Sequence, residues 1–107
     1  MKSKVAFNTS TGISYFSIDD IIRLEATSNY TWVHFLTQKP LLLAKVLKEL
    51  EPVLLPLGFL RTHRSHLVNK NKVAKIGLNN IVVMNDESVA AISRRRRQQV
   101  IKELSIL

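Results

Sequence analysis

Cysteine is absent from the 107 residues, so neither a disulfide nor a thiolate metal site can form, and nothing argues for export. Long apolar runs are also missing. Stretches such as Val53 to Leu60 are short and broken by Pro56 and Gly58, so they cannot span a bilayer. Met1-Lys2-Ser3-Lys4 is not followed by the apolar core of a signal peptide. The expected location is therefore the cytoplasm, without membrane contact. Glycine occurs three times, at Gly12, Gly58 and Gly77, always isolated, so no loop of backbone amides can cradle a nucleotide. Aromatic residues make up only 7 %, and Tyr30, Trp32 and Phe35 share one predicted strand. Cross-strand packing accounts for them better than a platform for stacked bases.

Carboxylates are scarce too: 8 Asp and Glu face 16 Lys and Arg, a net charge of +8. The excess is uneven. From Gly58 onward the cations are Arg61, Arg64, Lys70, Lys72, Lys75, Arg94 to Arg97 and Lys102, against Asp86, Glu87 and Glu103 alone. The first half is nearly balanced. Such asymmetry points to an anionic polymer or surface rather than to general solubility. The densest stretch is Leu60 to Lys72, where Leu60, Leu67 and Val68 can pin the chain to a core. Around them stand Arg61, His63, Arg64, His66, Asn69, Lys70, Asn71 and Lys72, with no carboxylate among them. Apolar residues reach 46 %, enough for one core in a single domain covering residues 1–107.

The apolar pattern predicts a mainly β fold of short antiparallel strands, with one short internal helix and a C-terminal helix. Residues 1 to 17 read as extended, with a turn at Asn8 to Gly12. Ile21 to Ala26 alternates, placing Ile22, Leu24 and Ala26 on one face and Arg23 and Glu25 on the other. Thr27-Ser28-Asn29 turns into the strand Tyr30 to Leu36, and Leu41 to Leu43 continues the sheet. Val46, Leu50, Val53 and Leu57 predict a helix over 45–55, kinked or split by Pro52 and ended by Pro56 and Gly58. Leu67-Val68 is a strand core. Lys72 to Gly77, Ile81 to Met84 and Val89 to Ile92 follow, the last two joined by a turn at Asn85 to Ser88. Ser93 caps a closing helix with an apolar stripe of Val100, Ile101 and Leu104. Its first turn is Arg94 to Arg97, and positive charge there opposes the helix dipole. Phosphate held at that end explains the placement.

Catalytic and metal readings fare worse. Ser65 lies between His63 and His66, yet no strand-turn-helix elbow with flanking glycines surrounds it, so a hydrolase is disfavoured. His63 and His66, three apart on one strand, would face opposite sides, which weakens them as metal ligands with His34. No cofactor is expected. Arginine offers a planar fork suited to guanine edges or phosphate, and Asn29, Thr31, His63 and Asn71 are further candidate contacts. For Asn29 a plain turn residue is the competing explanation. An RNA-binding or ribosome-associated basic module is the alternative function.

Three segments resemble one family. Ile21-Ile22-Arg23-Leu24-Glu25-Ala26, followed by Asn29-Tyr30-Thr31, resembles the opening signature of LytTR-type DNA-binding domains. Leu47 to Leu50 and then Phe59 to Asn69 resemble its central signature, and Ile92-Ser93-Arg94-Arg95 its closing one. The likeness runs from about Gly12 to Leu104, in family order and spacing. It implies an elongated LytTR-like β fold that reads double-stranded DNA with loops instead of a recognition helix. By resemblance, base contacts fall at Thr31 or its neighbour Asn29, at Arg64 and at Arg94. Phosphate contacts fall at His63, Ser65 and Arg95, with Arg61 and Lys70 as further candidates. Some relatives carry histidine and asparagine where this chain has Thr31 and Arg64, which implies a different target sequence. The resemblance also implies a bacterial regulator of transcription, two copies of which occupy promoter direct repeats. Members commonly follow a receiver domain answering to a sensor kinase. None fits within this chain, so an effector domain or a standalone regulator is expected.

Overall fold

The computed structural model describes residues 3–105, which form ten strands and two α-helices measuring 40 × 33 × 23 Å. β1 (Lys4–Thr9) and β2 (Gly12–Ser17) make a hairpin. β3 (Ile21–Thr27) and β4 (Tyr30–Phe35) make a second, and β5 (Leu41–Leu43) pairs with β4. After helix α1 (Leu47–Leu54) come β6 (Phe59–His63) and β7 (His66–Asn69). These complete a five-stranded antiparallel sheet in the order β5-β4-β3-β7-β6. β8 (Val73–Gly77), β9 (Ile81–Met84) and β10 (Val89–Ala91) form a separate three-stranded sheet, and α2 (Arg97–Ser105) closes the chain.

β3 is the central strand, and both faces of its sheet are covered. On one side Leu24, Val33, Phe35 and Leu67 pack against α1 and the β1–β2 hairpin. On the other, Ile22, Leu60 and Val68 pack against Val82, Met84 and Ala90 of the small sheet and Val100 of α2. Strict alternation predicts Ile22 beside Leu24, but the register with β4 shifts between Ile21 and Arg23. Such a bulge adds one residue to one strand and turns the following side chains over. Ile21 and Leu24 therefore share the first core and Ile22 enters the second, all three at 0 % exposure. Each such side chain contributes roughly 1.5–3 kcal/mol of apolar burial, before the entropy of ordering it.

Helix α1 is shorter than the predicted 45–55 span, and its stripe is offset. Leu47, Leu50 and Leu54 are buried, whereas Val53 is exposed. Pro52 lies inside without splitting it, and a 3-10 turn at Leu55–Leu57 ends on Gly58 with φ 95°, a conformation glycine adopts freely. The strand β6 is absent from the sequence-based expectation, because Arg61 and His63 interrupt its apolar pattern. The closing helix begins as a 3-10 turn, Arg94–Arg96, which Ser93 caps by accepting a hydrogen bond from the Arg96 N–H (3.3 Å).

Candidate nucleic-acid interface

Three turns gather at one end of the large sheet. The β3–β4 turn is Ser28-Asn29, with Ser28 at φ 54° and Asn29 exposed. The β6–β7 turn is Arg64-Ser65, and the third runs from Ser93 into the arginine cluster. Main-chain bonds tie neighbouring turns together. The Ala26 N–H donates to the Ser65 carbonyl (2.9 Å), and the Ser93 N–H donates to the Thr62 carbonyl (2.9 Å). Buried Thr62 adds a second tie, its hydroxyl donating to the Ala91 carbonyl (2.9 Å). Chain geometry then limits the Cα atoms of Arg64 and Arg94 to roughly 16 Å apart, and Asn29 to Arg64 to roughly 19 Å. The full row spans at most about one helical repeat of duplex DNA.

Arg64, Arg94 and Arg95 are exposed, and their side chains pair with no other described residue. Glu25 and Glu51, beside the first two turns, are engaged by Arg23, His34 and Arg61, which leaves the guanidinium groups of the row free to meet an incoming anion. Asn29 is likewise exposed at its turn. His63 shapes the second turn, its Nδ1 accepting from the Ser65 N–H (3.1 Å).

Other residues singled out from sequence are placed differently. Thr31 is 0 % exposed, and its hydroxyl donates to the Lys45 carbonyl (2.7 Å). That is a structural role between β4 and the entry to α1, so Asn29 is the accessible member of the pair. Arg61 is also turned inward. Its Nε donates to the His63 carbonyl (2.8 Å), its Nη2 to the Arg64 carbonyl (2.5 Å), and its Nη1 pairs with Glu51 of α1. With every nitrogen engaged it is not placed to hold phosphate. Lys70 and Asn71 follow β7 at its opposite end, away from the row, and Lys70 pairs with Glu103 (3.5 Å). Asn69, one of the donors in the basic stretch, is 1 % exposed and braces the fold. Neither Asn69 nor Glu51 carries a sequence signal for its role.

His63 and His66 do not diverge. A turn lies between them, so they are cross-strand partners with ring centroids 5.7 Å apart. His66 also pairs in register with Glu25, and Glu25 accepts from His34 Nε2 (3.2 Å) and from Arg23 (3.3 Å). Among the described residues no group of three His, Asp or Glu side chains is placed to hold a metal ion.

Burial holds His34 below the ordinary histidine value, and the Arg23 charge adds to this, against the opposing Glu25. Burial likewise lowers His66, opposed by Glu25 and reinforced by Arg23, His63 and His34. For Glu25, burial acts upward, but bonds from His34 and Arg23 leave it below its usual value. The unfolded chain therefore takes up protons that the fold refuses. Stability is full above the ordinary histidine pKa of about 6.5, falls as pH drops below it, and falls further as Glu25 titrates. Thermal midpoints recorded from pH 8 to pH 4 should decline steadily below about pH 6.5; a midpoint that rises between pH 7 and pH 5 contradicts this assignment.

The LytTr DNA-binding domain family profile matches residues 11–105. A comparison with curated proteins finds no match. Among solved structures, one from Bacillus cereus, named as the LytTr DNA-binding domain of a methyl-accepting/DNA response regulator, is similar with a TM-score of 0.79. The two are 25 % identical, and the match covers 97 % of this chain and 98 % of that one.

Proposed function

The chain belongs to the LytTR DNA-binding domain family, and from that premise we propose that it binds duplex DNA sequence-specifically and regulates transcription. Residues 1–107 act as one DNA-binding domain. Asn29, Arg64 and Arg94 read base edges from the three linked turns. Arginine suits the acceptor pair of guanine, and asparagine suits adenine. Ser65, Arg95 and the outer edge of His63 hold phosphates and set the register. Binding needs no catalytic group and no cofactor. Two copies on promoter direct repeats, and control by a sensor kinase through a receiver domain, are part of the same proposal.

The observation that carries this reading is the row of exposed, unpaired Arg64, Arg94 and Arg95 side chains on turns bonded to one another. Selection of bound sequences from a random duplex pool tests it. A defined motif should emerge, and structured or single-stranded RNA should compete poorly with it. No enrichment, or a preference for RNA, contradicts the proposal. On the selected duplex, Arg95→Ala should weaken binding to all sequences alike and reduce the slope of log affinity against log salt by about 0.9. A loss confined to one base position would instead make Arg95 a base contact.

A further inference from the structure

The β6–β7 turn is held by its main chain in an unusual way. Its strands shift register between Arg61 and His63 and pair again only at His63 and His66, which leaves a bulge directly before the turn. One guanidinium braces this bulge, as Arg61 donates to the carbonyls of both His63 and Arg64. The Ser65 N–H is taken by His63 Nδ1 and the Ser65 carbonyl by Ala26. Four main-chain groups of the turn are thus committed, two of them to Arg61. The guanidinium is held in turn by Glu51, which projects from α1, and the two side chains are only 11 % and 26 % exposed.

A planar fork serves two carbonyls and a carboxylate in fixed, separate directions; a lysine ammonium also has three donors, but they radiate from one point on a flexible stem and cannot reproduce that spread. The Arg64 carbonyl sets the peptide plane that follows its Cα, and so the direction in which its side chain leaves the turn. Base-edge recognition tolerates only about 0.5 Å and 10–20° of error. We infer that Glu51 and Arg61 are a positioning pair: by clamping the turn to α1 they give Arg64 one orientation and so set discrimination at the base pair it reads. The inference rests on Arg64 being a base contact. It makes α1, which carries none of the proposed DNA contacts, a determinant of selectivity.

The experiment uses the full chain, the selected duplex and its single-base variants. Arg64→Ala first identifies the base pair at which discrimination collapses. Arg61→Ala and Arg61→Lys should then lower discrimination at that base pair about tenfold, within the range of one bidentate contact. Discrimination at base pairs read by the other turns should stay within about twofold, with the salt slope unchanged. Glu51→Gln should lower it about threefold without tightening binding, although an acid has been removed. Arg61→Lys and Glu51→Gln serve as the test if Arg61→Ala does not fold. Equal loss on all sequences with a salt slope reduced by about 0.9, or tighter binding by Glu51→Gln, makes Arg61 a latent phosphate contact and overturns the pair. Discrimination unchanged in the Arg61 variants but lost in Arg64→Ala overturns this inference alone. Discrimination unchanged in Arg64→Ala overturns the base-reading role beneath it.

Discussion

Arg64→Ala should cost about 1–3 kcal/mol on the selected duplex, roughly 5- to 150-fold in affinity, and blur preference at one base pair. The size follows from what arginine offers there. An exposed guanidinium with no protein partner makes two parallel hydrogen bonds to a guanine edge without breaking bonds within the fold. Little is lost elsewhere, because the Arg64 side chain supports no other element; only its carbonyl does, and alanine keeps that. The thermal midpoint should therefore stay close to the parent's while affinity falls. Electrophoretic shift titrations against the single-base variants provide the check. Equal loss on every sequence would place Arg64 on phosphate.

Asn69→Ala should be the most destabilising single polar substitution considered, at about 3 kcal/mol. Asn69 is almost fully buried at the end of β7, where its Nδ2 donates to the carbonyls of Ile18 (3.1 Å) and Ile21 (2.9 Å). Its Oδ1 accepts from the Asn71 N–H (3.1 Å). Alanine removes all three bonds, and a buried group left without its partner costs about 1–3 kcal/mol. For a domain of this size that corresponds to a fall of roughly 10–20 °C in thermal midpoint. Asn69→Asp should be worse still, since a carboxylate oxygen would then face two carbonyl oxygens in a site with little water. Circular dichroism melts decide the matter, and a loss below about 0.5 kcal/mol for Asn69→Ala would show that the brace is dispensable.

Much of the fold is legible in the sequence where local pattern and tertiary environment agree. Ile81 to Met84 and Val89 to Ala91 flank a polar turn and form the expected hairpin. Ile21 to Thr27 and Tyr30 to Phe35 do the same around Ser28-Asn29. Ser93 is the cap that its position before the arginines predicts. Legibility stops where a side chain contradicts its usual habit. An arginine in a basic run reads as surface, and nothing in the sequence marks Glu51, ten residues upstream, as the partner that draws Arg61 inward. Thr31 sits beside exposed Asn29 yet is buried, because alternation along β4 turns it towards the core, where the Lys45 carbonyl accepts its hydroxyl. Ile22 follows the bulge rather than the alternation, and no residue type announces a bulge there. His63 and His66 are three apart in sequence but opposite one another in space, since the turn between them reverses the chain. The division of the strands into three sheets is likewise a tertiary outcome, decided by which faces bury one another.

The most direct test of one DNA-facing row is a titration of the isotopically labelled chain with the selected duplex, followed by amide resonances. Shifts should concentrate at residues 27–30, 63–66 and 92–97 and be nearly absent from the turn at Lys70–Lys72. Shifts centred on Lys70–Lys72, or confined to one of the three turns, would contradict it.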